Sequence, residues 1–268
     1  MDLASAHAVT VRGSGETTIV LAHGLGGSQV QWGPVADRLA EHAQVLTFDL
    51  AGSGDADPSL FSPVRHASIV GFADDLSLLC AELGLRDVAY VGHSMSGMAG
   101  ALAAAADPGL FARLILLNAS ACYVDHPEEG YVGGFSTAEV AGLLDAIAAD
   151  FGLWAAGFAG HVMGNADRPE LTREFAASLA AYGPEVALTV FRAAFESDHR
   201  DVLGLVDVPT LVLSTRSDPA VPTQATQFLG ESIPDAEVQV LDVEGHFPHV
   251  VAPELIGSQV ERFLGAAR

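Results

Sequence analysis

One serine lies where a reactive hydroxyl is expected. Residues 92–96 read Gly-His-Ser-Met-Ser, after the apolar run 88–91 and before the Ala-rich segment 97–106. That order predicts a strand, a sharp turn and a helix, which is the setting of the G-x-S-x-G nucleophile elbow. Ser96 stands where the second glycine of the pattern belongs, and it is small enough for the tight backbone packing of such a turn. We therefore predict that Ser94 is a nucleophile.

Two further residues have the types and positions that a serine nucleophile needs. A serine hydroxyl reacts poorly at neutral pH and is activated by a histidine that a carboxylate orients. In this type of fold the acid follows the serine along the chain and the histidine comes last. Asp218 follows the apolar run 210–214, and His246 follows the run 237–243. Each alone is typical of an ordinary loop, but with Ser94 they predict a catalytic triad at one edge of a parallel sheet.

Two neighbouring residues offer alternatives. Asp125 lies just after the predicted strand 113–117, which follows the elbow helix, and it is the alternative orienting acid. The mutual geometry of the side chains distinguishes the two acids. His249 is three residues past His246, and we interpret it as a packing neighbour near the mouth of the site.

The negative charge that develops on an attacked carbonyl oxygen needs preorganised N–H donors. In a nucleophile elbow one donor is the N–H of the residue after the serine, here Met95. The second donor comes from the loop after an earlier strand, and the glycines of residues 23–26 suit it because they let the backbone come close. We assign this second donor to Leu25. The alternative is that His23 and Gly24 form only a tight turn.

A helical stretch in the second half of the chain holds large aromatic side chains with few charges among them. Most aromatic residues at helical spacing belong to a core, so each alone is a weak indication of a pocket. Together they predict an apolar cavity for a small, neutral ester or lactone. The candidates are Phe135, Trp154, Phe158, Phe191 and Phe195.

The predicted site needs a sheet whose strands end at one edge. Apolar runs alternate with helical periodicities along most of the chain, which predicts an α/β fold with a mostly parallel central sheet flanked by helices. Strands are expected at 6–12, 17–22, 44–50, 88–91, 113–117, 210–214 and 237–243, and helices at 34–42, 63–83, 97–106, from 222 and up to 264.

The alternation stops in residues 123–200, where the periodicity predicts helices only. Ser136 and Glu139 have the spacing of a capping box, which opens the first of four helices. A long insertion of this kind usually covers an active site. We therefore divide the chain into an α/β core, residues 1–122 and 201–268, and a helical lid, residues 123–200.

Composition argues against several classes of partner. The 268 residues carry a formal net charge of −22 with 12 basic residues, all of them arginine, and such a surface repels nucleic acid and anionic membranes. Cys80 and Cys122 lack metal or redox spacing, which indicates a reducing compartment. The sequence shows no signal-peptide pattern and no apolar run near the ~18 residues of a membrane span. We therefore expect a cytoplasmic protein without nucleic-acid or membrane partners.

The sequence also indicates chemistry without a metal or a cofactor. Residues 24–27 are rich in glycine, but they lack the G-x-G-x-x-G register of a dinucleotide site and its acidic partner. The histidines outside the predicted triad have no paired ligands at the spacing of a metal site. Those considered are His42, His66, His126, His161 and His199.

Six short segments are distinctive in combination. They are residues 91–96, 118–123, 131–135, 195–200, 218–222 and 244–248. The narrowest features are the Gly-Gly-Phe135 entry to the lid and the Phe195-x-Ser-Asp-x-Arg200 exit. With these segments the chain resembles the α/β-hydrolase superfamily over its whole length. More narrowly, it resembles the RsbQ-type bacterial stress regulators and the plant karrikin and strigolactone receptors.

The resemblance implies an α/β-hydrolase fold with a V-shaped, four-helix lid inserted after the sixth strand, above a hydrophobic pocket and the Ser94, Asp218 and His246 triad. It also implies slow hydrolysis of a small apolar signal molecule. Bacterial members work with a PAS-domain phosphatase, and plant members bind other proteins through a lid that moves. This chain has Leu25 where the family usually has phenylalanine, which should reshape the pocket. Its lysine-free, Ala-rich composition favours the bacterial side.

The sequence is compatible with three functions. The first is a cofactor-independent serine hydrolase of the carboxylesterase or lactonase type, which forms an acyl-enzyme and also senses its ligand. The alternative is a signalling protein that binds a small hydrophobic ligand and activates a regulatory partner such as a PAS-domain phosphatase, with slow or single-turnover hydrolysis. A third use of the same triad is C–C bond hydrolysis or perhydrolysis.

Overall fold

A computed structural model describes residues 2–265, which form a seven-stranded sheet with helices on both faces. The strands are β1 (Thr10–Arg12), β2 (Thr18–Ala22), β3 (Gln44–Phe48), β4 (Val88–His93), β5 (Phe111–Leu117), β6 (Thr210–Ser217) and β7 (Ala236–Glu244). They lie in the order β1-β3-β2-β4-β5-β6-β7, and all neighbours are parallel except β1 and β3. This confirms the mostly parallel sheet that the sequence predicts.

Helices cover both faces of this sheet. They are α1 (Leu3–Ala6), α2 (Gly33–Leu39), α3 (Ile69–Glu82), α4 (Met95–Ala106), α5 (Thr137–Ala149), α6 (Phe151–Met163), α7 (Pro169–Ala181), α8 (Pro184–Phe195), α9 (Thr223–Ser232), α10 (Pro248–Val251) and α11 (Pro253–Phe263). One apolar cluster packs α2 and α11 on one face, and a second packs α3, α4 and α9 on the other. The central strands are accordingly buried on both sides. Among the helices in the described residues, none is long and apolar enough to cross a membrane.

The helical insertion consists of α5 to α8, between β5 and β6. Helix α5 packs against α6 and α8, and α6 packs against α7. Ser136 and Glu139 form the predicted capping box at the start of α5. The insertion follows the fifth strand, so the expectation that it follows a sixth is wrong for residues 2–265. The apolar runs of the sequence also predict five strands before residue 123, so the sixth strand comes from the family resemblance and has no counterpart among the described residues.

Two elements are shorter than the sequence predicts. The strand expected over 6–12 is reduced to β1, because Asp2 caps the short helix α1 that precedes it. The helix expected over 63–83 is α3, which starts later because the hydroxyl of Ser68 accepts the N–H of Val70 at 3.2 Å. In both cases a local side-chain cap fixes the boundary that apolar periodicity leaves open.

Candidate active site

The turn between β4 and α4 has the geometry of a strained elbow. Ser94 has φ of 54° and ψ of −122°, a backbone conformation that non-glycine residues rarely adopt and that clusters at functional sites. A Cβ atom at Gly92 would lie 2.4 Å from the Ser96 carbonyl oxygen, and one at Gly97 would lie 2.6 Å from the Ala119 Cβ. The turn therefore tolerates only glycine at those two positions, and it holds the Ser94 side chain at the end of β4.

The three residues of the predicted triad lie in one hydrogen-bonded row. The Ser94 hydroxyl is 2.9 Å from Nε2 of His246. On the other side of the ring, Nδ1 of His246 is 2.7 Å from Oδ2 of Asp218. The second oxygen of Asp218 accepts the N–H of Ala220 at 2.8 Å. With Nδ1–H donating to Asp218, Nε2 is free to accept the serine proton.

The backbone around His246 is held by buried polar groups. Nε2 of His93 donates to the His246 carbonyl at 2.7 Å, and the Asn118 amide donates to the same oxygen at 3.2 Å. The Thr215 hydroxyl donates to the Gly245 carbonyl at 2.9 Å. Sequence reasoning missed these groups, although His93 and Asn118 stand at the ends of β4 and β5, where the site is expected. They fix the position of the histidine loop against the elbow.

Asp125 and His249, the alternatives that the sequence offers, make their contacts outside the triad. The backbone N–H groups of Gly133 and Gly134 donate to the same oxygen of Asp125, at 2.8 and 2.9 Å respectively. The Asp125 carboxylate therefore orders the backbone at the entry to the lid and is not hydrogen-bonded to His246. The His249 ring is fully buried and stacks on Trp32 with ring centroids 4.3 Å apart. It is a packing neighbour, but its expected position near the mouth of the site is wrong.

Leu25 and Met95, the predicted oxyanion donors, line the same cavity as Ser94. Met95 is the first residue of α4, so its N–H has no partner within the helix. A Cβ atom at Gly24 would lie 3.0 Å from the Ser94 Cβ, which shows how closely this loop approaches the serine. The Ser96 hydroxyl donates to the His23 carbonyl at 2.5 Å. The hydroxyl that replaces the second glycine of the elbow therefore ties the elbow to the loop that carries Leu25.

A narrow cavity of about 20 Å³ lies between Ser94 and the helical insertion. That volume holds about one water molecule, so the insertion covers the site closely. Of the predicted pocket residues, Phe158, Phe191 and Phe195 line the cavity. Phe135 and Trp154 do not line it but form a second layer behind it, packing against Phe195 and against Phe158 and Phe191 respectively.

Tyr123 is a cavity residue that sequence reasoning did not identify. Its hydroxyl lies 3.4 Å from the Ser94 hydroxyl, and its ring stacks on Phe195 with ring centroids 4.7 Å apart. Burial raises the pKa of the Tyr123 hydroxyl, so this group stays protonated at neutral pH. Its position six residues after the end of β5 was the available signal, since that strand ends at the same edge of the sheet as β4.

The buried histidines behind the triad make the stability of the fold depend on pH. Burial lowers the pKa of His249 to about 3, and the nearby His246 and His23 add to the effect. Burial also holds the pKa of His93 well below its ordinary value. Between about pH 3 and 6.5 the unfolded chain therefore binds more protons than the folded one at His249. Stability should fall as the pH falls through this range.

The variant His249→Phe should reduce this pH dependence. Phenylalanine does not titrate, so the unfolded variant no longer binds one more proton than the folded variant at residue 249. The slope of unfolding free energy against pH should therefore decrease by about 1.4 kcal/mol per pH unit. Urea unfolding at several pH values between 4 and 6 measures it. His42→Phe, which replaces an exposed histidine, is the matched control and should keep the wild-type slope. An unchanged slope in His249→Phe would contradict the neutral state of the buried ring.

The chain matches known proteins over nearly its whole length. Residues 17–253 match the family described as alpha/beta hydrolase fold. The strigolactone esterase RMS3 of Pisum sativum is 38% identical over 254 residues, which cover 94% of this chain and 94% of the relative. The karrikin insensitive 2 receptor CA of Petunia hybrida is 34% identical over 252 residues, which cover 94% of this chain and 93% of the relative.

A solved structure shares the whole architecture. The hydrolase olei00960 of Oleispira antarctica superposes with a TM-score of 0.95 at 29% identity, over 99% of this chain and 97% of its own. The match includes the helical insertion as well as the sheet, since it leaves almost no part of this chain uncovered. The chain therefore belongs to the α/β-hydrolase fold family and is one of its serine hydrolases.

Proposed function

We propose that the protein is a cofactor-independent hydrolase of the carboxylesterase or lactonase type, acting on a small hydrophobic ester or lactone. The observation that carries this proposal is the continuous row from Ser94 through His246 to Asp218, with distances of 2.9 and 2.7 Å, beneath an apolar cavity. The similarity to a strigolactone esterase supports the ester as the bond that is cleaved.

In the proposed mechanism, the Ser94 oxygen attacks the substrate carbonyl while Nε2 of His246 accepts the serine proton. Asp218 holds the ring in the required tautomer and stabilises the imidazolium that forms. The N–H groups of Leu25 and Met95 donate to the oxyanion. His246 then protonates the leaving alcohol oxygen, which leaves an acyl-enzyme on Ser94. His246 then takes a proton from water, which attacks the acyl carbonyl. The bond to the Ser94 oxygen breaks, the carboxylic acid leaves, and His246 returns the proton to that oxygen.

The proposed substrate class follows from the cavity. Its lining outside the triad is mostly apolar and aromatic, so a charged acyl group would lose hydration without gaining a partner. A cavity of about 20 Å³ is too small for an ester, so the lid, residues 123–200, must move or its aromatic side chains must turn before substrate enters. Such a step slows turnover when it limits the rate.

A series of p-nitrophenyl esters of increasing acyl length tests the substrate class. We expect kcat/KM to be highest for short, uncharged acyl groups and to fall as the chain lengthens. Phe158→Ala should shift the optimum towards longer chains, because it removes a ring that lines the cavity. Phe151→Ala is the matched control, since Phe151 lies on the same helix but does not line the cavity. A wild-type preference for long or anionic acyl groups would refute the proposed class.

A second function is favoured by the closed arrangement of the lid. A ligand that enters must change the contacts of α5 to α8, and such a change can be recognised by another protein. The similarity to a karrikin insensitive 2 receptor supports a sensing role, in which a small hydrophobic ligand activates a regulatory partner such as a PAS-domain phosphatase. The two unpaired thiols, Cys80 and Cys122, fit the cytoplasmic location that we include in this proposal.

Hydrogen exchange distinguishes sensing from simple turnover. Ser94→Ala, incubated with the preferred short ester, should keep the ligand intact, and the amides of α5 to α8 should change their exchange rates. The same variant without ester is the baseline. If the exchange of the lid stays the same when the ester occupies the site, as judged by equilibrium dialysis, the sensing function is refuted and hydrolysis stands alone.

A further inference from the structure

The two ends of the lid meet at a cluster of three metal-binding side chains. Cys122 precedes the lid and Asp198 lies near its end, and their backbones form an isolated antiparallel bridge. His126 lies four residues after Cys122, with its Nε2 atom 3.6 Å from the Cys122 sulfur. The same nitrogen is 3.8 Å from Oδ2 of Asp198. All three donor atoms lie within 4.8 Å of one another.

These spacings are close to those of a zinc site. With bonds of about 2.3 Å to sulfur, about 2.0 Å to nitrogen and about 2.1 Å to oxygen, tetrahedral ligands lie roughly 3.3–3.6 Å apart. The cluster reaches this geometry with side-chain shifts of a few tenths of an ångström at His126 and somewhat more between Cys122 and Asp198. A thiolate with an imidazole and a carboxylate favours Zn²⁺ over Mg²⁺ or Ca²⁺, which prefer oxygen ligands.

The groups around the cluster hold its ligands in place. Arg200 donates to both oxygens of Asp198, at 2.9 and 2.7 Å. Oδ2 of Asp198, the oxygen that lies 3.8 Å from Nε2 of His126, accepts a single hydrogen bond from Arg200 and keeps a lone pair for an ion. Such outer partners are usual for ligating carboxylates. The backbone N–H of His126 donates to the Tyr131 carbonyl at 3.0 Å, which orders the loop that carries the imidazole.

The cluster is also accessible. A groove of about 580 Å³ lies beside it and is lined by Asp198, Arg200 and Tyr131. The His126 and Asp198 side chains are 28% and 40% exposed, so an ion can reach them from solvent. Burial raises the pKa of the Cys122 thiol, so a bound ion must displace its proton, which is released to solvent.

We propose that Cys122, His126 and Asp198 form a Zn²⁺-binding site that links the entry of the lid to its exit. A water molecule completes the tetrahedron. The ion adds a bond between two chain segments that the backbone bridge and the ion pair of Arg200 with Glu129 already join, and it therefore further restrains the movement that admits substrate. Ser94, His246 and Asp218 are not part of this site.

Cobalt substitution tests the proposal directly. Co²⁺ bound to a thiolate absorbs in the near ultraviolet, so titrating the protein with Co²⁺ reports on sulfur ligation without any assay of hydrolysis. We expect such a band in the wild type and in Cys80→Ala, which removes the other buried thiol. The band should be absent in Cys122→Ala, and Zn²⁺ should displace Co²⁺ from the wild type.

His126→Ala keeps the test decisive if the buried Cys122→Ala variant folds poorly, because the His126 side chain is partly exposed. Its affinity for Co²⁺ should be at least about 10-fold weaker than that of the wild type. The absence of a thiolate band in the wild type at saturating Co²⁺ would overturn the proposal. So would a band that persists in Cys122→Ala, or an affinity that His126→Ala leaves unchanged.

Discussion

Ser94→Ala is expected to lower kcat/KM for a short p-nitrophenyl ester by about 10⁴- to 10⁶-fold. The loss is this large because the variant has no oxygen to attack the carbonyl, and His246 has no proton to accept. A residual rate above the uncatalysed one should remain, since Leu25 and Met95 still donate to the oxyanion. Initial rates of p-nitrophenolate release measure the effect.

Ser77→Ala is the control for Ser94→Ala. It makes the same substitution on α3, where the Ser77 hydroxyl only donates to the Ala73 carbonyl within the helix. This variant should keep wild-type turnover, and both variants should unfold at temperatures near that of the wild type. Ester turnover that Ser94→Ala retains at the wild-type level in a pure preparation would exclude Ser94 as the nucleophile.

Asp218→Asn is expected to lower kcat by about 10⁴-fold. The asparagine amide can donate to Nδ1 of His246, which places the remaining ring proton on Nε2. That nitrogen then faces Ser94 as a donor and cannot accept the serine proton. Because the shape of the side chain is preserved, KM should change little, so separate measurements of kcat and KM show whether the loss is catalytic.

Asp125→Asn discriminates between the two candidate acids. The Asp125 carboxylate accepts the N–H groups of Gly133 and Gly134, so its substitution should cost about 1–3 kcal/mol of stability and leave kcat within a few-fold of wild type. A large loss of kcat in Asp125→Asn, together with a small one in Asp218→Asn, would reverse the assignment. Thermal unfolding of both variants separates a loss of folding from a loss of chemistry.

The sheet and the triad residues were accessible from sequence because their signals are local. Apolar runs such as that at 210–214 identify buried strands, and the ends of parallel strands share one edge. Asp218 and His246 each follow such a run, so their meeting with Ser94 needs no knowledge of side-chain packing. The capping box at Ser136 is equally local, since its two hydrogen bonds lie within one turn of helix.

The pocket and its surroundings depend on packing that periodicity does not encode. Trp154 and Phe158 are four residues apart on one helix, yet only Phe158 reaches the cavity, because the contacts between α6 and α8 determine which side chain points at Ser94. The hydrogen bond from His93 to the His246 carbonyl joins residues far apart in sequence. No spacing rule relates two such positions.

Local spacing in the sequence also could not predict the cluster at the ends of the lid. His126 was expected to lack metal-binding partners, but the structure places it beside Cys122 and Asp198. Asp198 comes from the other end of the lid and lies outside any local metal spacing. It meets the first two residues only because β5 and β6 are adjacent in the sheet, which brings the entry and exit of the insertion together.

Mapping the acyl group tests most directly whether Ser94 is the nucleophile. A short p-nitrophenyl ester is mixed with excess wild-type protein, the reaction is quenched in acid within the burst, and intact mass and peptide mass are measured. We predict a mass increase of one acyl group, located on the peptide that contains Ser94 and absent from Ser94→Ala. An acyl group on another residue, or turnover without any acyl-enzyme at quench times that resolve the burst, would show that hydrolysis does not pass through an acyl group on Ser94.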